Sequence, residues 1–124
     1  MTTDHHEFFA QYAKAYDDYD GERVASFFFC PCLVVRHGTV TLLDTPIKIC
    51  DFLGTALRMY RDNGCVNFVV ARLERRLLGP LSALVDVGWI MTSADGKVVM
   101  NFDTTYNLFN DNGRWKIVAL TRHD

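Results

Sequence analysis

Three observations predict an α+β chain whose helices come first and whose antiparallel sheet follows. Apolar stripes at helical spacing occupy much of the first half of the sequence. The hydrophobic period changes to two from Cys65 onward, and turn signatures then divide the remainder into long strands. With 124 residues, 49% of them hydrophobic and 23% charged, the chain is read as one domain spanning 1–124. At this mass, folding buries roughly two-thirds of the unfolded surface. A core therefore forms without disulfide or metal staples.

Asp4, followed three residues later by Glu7, has the spacing of a capping box and opens the first helix. Phe8, Tyr12, Tyr16 and Tyr19, with Phe9 alongside, share one face; Gln11, Lys14, Asp17 and Asp18 lie elsewhere. Asp20-Gly21 breaks this helix. Val24, Phe27 and Phe28 then repeat at i, i+3, i+4, which predicts a second short helix that must end before Pro31. The β-rich segments 33–36 and 39–42 flank His37-Gly38, a tight hairpin. Thr45-Pro46 supplies an N-cap and a first-turn proline for a third helix. Its stripe of Ile49, Phe52, Leu53, Ala56, Leu57 and Tyr60 ends at Asn63-Gly64.

Strands are expected at 66–77, 82–92, 97–109 and 114–122, separated by Leu78-Gly79-Pro80, Asp95-Gly96 and Asn110-Asp111-Asn112-Gly113. Short turns between consecutive strands pair them antiparallel, so the expected sheet is a meander with helices against one face. The chain has no internal repeat, linker or low-complexity segment.

Composition excludes several classes. Thirteen basic against fifteen acidic side chains give a net charge of −2, which offers no general attraction for nucleic acid or an acidic membrane surface. Arg36, Asp44, Arg72 and Asp86 interrupt the apolar segments, so none reaches membrane-spanning length. The polar start without an apolar secretory segment leads to an expected cytoplasmic location. There Cys30, Cys32, Cys50 and Cys65 are free thiols; Cys30-Pro31-Cys32 has the wrong spacing for a zinc knuckle, and His5 and His6 point apart on a helix. No metal or cofactor is expected, and no phosphate loop, nucleophile elbow or dinucleotide fingerprint occurs.

Strand pairing locates a polar patch. If Asp95-Gly96 is a two-residue turn, Ala94 pairs with Lys97 and, counting back, Asp86 faces Thr105 and Gly88 faces Asp103. Asp86, Asp103, Thr105 and Asn107 then share one sheet face; Val85, Val87, Trp89 and Met91 share the other with Met100, Phe102, Thr104 and Tyr106. Mid-strand carboxylates are unfavourable unless they have water, a partner or a job. Two explanations stand side by side. Asp86 and Asp103 could share protons as acid and base in a cavity beneath the helices. Alternatively they form ion pairs with Arg36, Arg58, Arg72 or Arg122. Whichever holds, if the helices cover the polar face, the apolar one is left open, and a homodimer built sheet to sheet would bury it.

Three N-terminal helices, a hairpin between the second and third, and a meander ending in Asn112-Gly113-Arg114-Trp115-Lys116-Ile117 resemble the nuclear transport factor two superfamily, also called SnoaL-like or ketosteroid-isomerase-like. The Asp20-Gly21-Glu22 and Phe27-Phe28 segments belong to the same likeness. The resemblance implies a cone-shaped, cystatin-like fold with a deep pocket between helices and concave sheet. By position it implies that Tyr12 fills the pocket-tyrosine slot of the isomerases, while Arg36 stands where they carry the catalytic base and Thr105 where they carry a protonated acid. Arginine cannot abstract a proton at neutral pH, so that isomerase mechanism would need Asp86 or Asp103 as base. His37 stands beside the base slot. With Thr105 placed in the pocket, parity adds Asp103 and Asn107, and a two-residue turn at Asn112-Gly113 sets Arg122 beside Asp103. The expected site thus has Asp103 and Asp86 as acid and base, Arg36 and Arg122 as anion-orienting groups, and Tyr12, Tyr16, His37, Thr105 and Asn107 as ligand contacts. Its expected ligand is a small organic molecule, handled by isomerase-, dehydratase- or cyclase-type chemistry; the competing reading is a non-enzymatic association domain whose pocket is vestigial.

Overall fold

The computed structural model describes residues 5–124, so the Asp4 cap lies outside the described residues. Helix α1 runs His5–Asp17 and buries Phe9, Tyr12 and Tyr16 of the expected stripe, with Ala13 beside them; Phe8 is partly buried and Tyr19 lies beyond the helix end. Helix α2, Gly21–Ala25, is capped by the Asp20 carboxylate, which accepts the Arg23 amide at 3.1 Å. This helix is shorter than its apolar spacing predicts. Phe28 does not complete a helical turn but begins strand β1, Phe28–Arg36. Extended backbone ahead of Pro31 and pairing of Phe28 with Ile117 decide the contest.

Strand β1 turns at His37 and Gly38 into β2, Thr39–Leu43, with Arg36 paired to Thr39. Both turn residues have positive φ, 51° and 68°, as the expected tight hairpin requires. Helix α3, Pro46–Asp62, starts at Thr45, whose hydroxyl accepts the Lys48 amide at 3.1 Å, and buries Ile49, Leu53, Ala56, Leu57 and Tyr60. Four strands follow: β3 Asn67–Leu77, β4 Ser82–Thr92, β5 Val98–Asp111 and β6 Arg114–His123.

The sheet has the order β2-β1-β6-β5-β4-β3. Its neighbours are antiparallel except β1 and β6, which pair in parallel where the hairpin joins the meander. The expected pairs Asp86–Thr105 and Gly88–Asp103 are present, but by a different turn. Ser93 and Lys97 close a longer loop, and the offset between the pairs Thr92–Val98 and Met91–Met100 restores the register with one extra residue in β5.

Helices α1 and α3 cover the face carrying Val85, Val87, Trp89, Met91, Tyr106 and Leu108, each 4% exposed or less. This is the reverse of the sidedness expected above. The apolar face is the concave interior, and the face left open is the polar one. A homodimer is therefore not needed to hide Trp89 and Met91, because α1 and α3 already do so. Among the described residues, no helix is long and apolar enough to cross a membrane.

Candidate functional site

Between α1, α3 and the concave sheet lies a cavity of about 60 Å³, several times the roughly 10–15 Å³ that one ordered water needs. Tyr12 and Tyr16 reach it from α1, Phe52, Leu53, Ala56 and Tyr60 from α3, and Phe28 and Arg36 from β1. The remaining wall is Phe68, Trp89, Met91, Phe102, Thr104, Tyr106, Leu120 and Arg122 from the other strands. Among the described residues no carboxylate and no imidazole lines it.

The polar groups form two sets. The first is a run of buried hydroxyls: Tyr12 and Tyr16 are joined through their oxygens at 3.0 Å, and the Trp89 indole N–H donates to the Tyr106 hydroxyl at 2.9 Å. Burial pushes the Tyr12, Tyr16, Tyr106 and Tyr60 hydroxyls above the ordinary phenol range; for Tyr60 the nearby Arg122 and Arg36 charges oppose that rise. All four are neutral O–H groups at pH 7. They can donate to or accept from a ligand but cannot serve as bases there.

The second set is Arg36 and Arg122. Val35 pairs with Thr121 in parallel, so the next residue of each strand, Arg36 and Arg122, stands beside the other and points into the cone. The Arg36 guanidinium lies 4.9 Å over the Phe52 ring, and that of Arg122 lies 3.9 Å over the Phe102 ring. Arg122 reaches the interior through a bulge. Asn112-Gly113 makes the expected two-residue turn, with Asp111 paired to Arg114, but the register shifts between Leu108–Ile117 and Asn107–Ala119. Arg122 thereby pairs with Thr104, not beside Asp103, and shares the inward face of Thr104.

Of the expected site residues, Tyr12, Tyr16, Arg36 and Arg122 come together around the cavity. Asp86, Asp103, Thr105, Asn107 and His37 do not. Thr105 is one residue from the inward positions Thr104 and Tyr106, and a one-residue difference moves a side chain to the other sheet face. Asp86 and Asp103 occupy that outer face, with side chains 41% and 49% exposed. Asp103 meets Arg72 at 3.5 Å, and Arg72 meets Glu74 at 3.2 Å. Asp86 accepts the Thr105 hydroxyl, which lies 2.7 Å from His123 Nε2. Asn107 accepts Ser82 Oγ at 3.1 Å. Asp86 and Asp103 are thus not paired acid and base in the cavity; of the arginines that the competing explanation named, Arg72 pairs with Asp103, while Asp86 has the Thr105 hydroxyl and, 3.9 Å away, His123 Nε2. His37, at the hairpin tip, holds Asp124 through its backbone N–H and through Nδ1 at 3.3 Å.

Sequence reasoning overlooked Tyr60, Trp89, Phe102, Thr104 and Tyr106 as cavity residues because it assigned most of them to an open face. The signal was present: Trp89, Met91 and Tyr106 on one face demand the helix-covered side by burial alone.

Residues 3–124 match the model of a family described as NTF2-like protein (DUF6841). No functionally curated protein is similar in sequence to the chain. An NTF2-like protein with a cystatin-like fold from Novosphingobium aromaticivorans superposes with a TM-score of 0.73 at 13% identity, over 94% of this chain and 76% of that one. An NTF2-like protein of unknown function from Pseudomonas putida KT2440 gives 0.73 at 12%, over 94% and 81%. Another from Shewanella oneidensis MR-1 gives 0.72 at 13%, over 95% and 94%. At these identities the likeness is one of fold.

Proposed function

The chain belongs to the NTF2-like family, and from that premise we propose that it is a small-molecule-binding domain whose ligand occupies the cone cavity. The observation that carries this reading is the lining. Hydroxyls, an indole and two arginines converge among aromatic walls on a space of about 60 Å³ that opens to solvent; the volume is below the roughly 300 Å³ of a typical ligand pocket, but the mix of apolar walls and a few convergent polar groups is that of a ligand site. The same lining limits the chemistry. Neutral phenols and guanidinium groups can bind and polarise a carbonyl oxygen, but no lining group among the described residues can take a proton at neutral pH. Binding, and not proton abstraction by Asp86 or Asp103, is the function the geometry supports.

The competing reading as an association domain loses the apolar surface it was built on, and the open sheet keeps exposed Leu33, Val40 and Leu42 on β1 and β2 as its apolar part. A second copy placed on the open sheet face would meet Arg72, Glu74, Asp86, Asp103 and His123 instead of Trp89 and Met91. A thermal-shift screen of small organic fragments tests the proposal. Stabilising fragments should keep their effect in Asp86→Asn and Asp103→Asn and lose it in Ala56→Phe, which fills the cavity from α3. Fragments that survive Ala56→Phe and fail with Asp103→Asn would place the site on the outer face and overturn it.

A further inference from the structure

Resting on the cavity reading, we propose that the ligand is a small organic carboxylate, its head held jointly by Arg36 and Arg122 and its unsaturated body lying among the cavity rings. Register is the first ground. The parallel pairing of Val35 with Thr121 puts two guanidinium-bearing residues side by side on the concave face, on strands about 4.8 Å apart. Like charges at such positions repel, and the two cations share a single, partly exposed carboxylate neighbour. Among the described residues Arg36 makes no ion pair, and the carboxylate nearest Arg122 is Asp124, 3.7 Å from Nε and shared with His37.

The state of the guanidinium groups is the second ground. Arg122 Nε is buried without a hydrogen-bond partner. Each guanidinium is covered on a face by an aromatic ring, Phe52 or Phe102. Stacking occupies the faces but uses no N–H, since the donors lie in the guanidinium plane, where a carboxylate accepts them. Beyond this cationic end the cavity is aromatic: Tyr16, Tyr60, Phe68 and Trp89 offer ring surfaces and neutral hydroxyls. That combination selects an anionic head on a flat organic body.

The probe pair is trans-cinnamate and its neutral isostere trans-cinnamamide, titrated by calorimetry into the wild-type chain, Arg36→Gln and Arg122→Gln, with inorganic phosphate as a body-free anion. Cinnamate is expected to bind at least about tenfold tighter than the amide, and either substitution should erase most of that preference. Arg36→Gln, which removes no fully buried nitrogen, carries the test if Arg122→Gln fails to fold. Equal affinity for acid and amide, with both lost in Ala56→Phe, overturns the carboxylate proposal and leaves the cavity reading intact. Phosphate binding as tightly as cinnamate overturns the organic body, and binding by neither acid nor amide at millimolar concentration overturns the carboxylate proposal, while the fragment screen with Ala56→Phe decides the cavity reading by itself.

Discussion

Val118 is the residue that β6 inserts between the pairs Leu108–Ile117 and Asn107–Ala119, and this insertion turns Arg122 onto the face of Thr104. No residue type in the sequence marks the bulge; ladder geometry alone decides it, which is why counting from the Asn112-Gly113 turn sets Arg122 beside Asp103 instead. Other residue roles are legible because they depend on local spacing: Tyr12 and Tyr16 are one helical turn apart and must face the same way. Two expectations belong at this scale. In Tyr106→Phe the Trp89 indole N–H, which donates at 2.9 Å inside the core, loses its acceptor; chemical denaturation should show a loss of about 1–3 kcal/mol, and an unchanged midpoint would contradict the buried hydrogen bond. Asp124→Asn removes the carboxylate charge beside Arg122 while keeping an acceptor for the His37 amide. Since the pair is partly exposed, calorimetry should find cinnamate bound about twofold to fivefold tighter, and weaker binding would argue against Asp124 as the ligand's competitor.

Elements were read more surely than their termini. Thr45-Pro46 starts α3, and β4 spans Ser82–Thr92 as expected, because caps, prolines and period-two patterns act over a few neighbouring residues. Phe28 is not legible from its neighbours because its place depends on Ile117, far along the chain. The end of α1 shows a local conflict that stability measurements can expose. Asp17 closes the helix, where a negative charge faces the carbonyl end of the macrodipole, and its carboxylate accepts the Phe68 amide at 2.7 Å. Burial raises its pKa above the ordinary 3.8, although the Phe68 hydrogen bond opposes the rise. A raised folded-state pKa means that Asp17 favours the fold fully below its unfolded value and loses that contribution as pH rises through the raised one. Asp17→Asn, neutral throughout and still an acceptor, should therefore be more stable than wild type at pH 7. The difference should disappear in acid, below the ordinary carboxylate range; an advantage that grows as pH falls would reverse the sign and refute the desolvation argument.

At the scale of the molecule, the architecture was legible and its sidedness was not. Helical stripes, turn residues and register place the helices against a sheet whose mid-strand pairs Asp86–Thr105 and Gly88–Asp103 are those expected. Which face the helices cover is a question of total burial. Val85, Val87, Trp89 and Met91 outweigh any cavity role for Asp86 and Asp103, which in the open accept the Thr105 hydroxyl and pair with Arg72, respectively. The site accordingly depends on a cone that several elements close together, with α1, α3 and β5 supplying the tyrosine hydroxyls, β4 the indole, and β1 and β6 the paired cations. Its most direct test is a nuclear magnetic resonance titration that follows the arginine Nε–H signals while trans-cinnamate is added. The Arg36 and Arg122 signals should shift together and saturate at one concentration while Arg72 stays unmoved; a shift confined to Arg72 would place the ligand on the outer face and contradict the account.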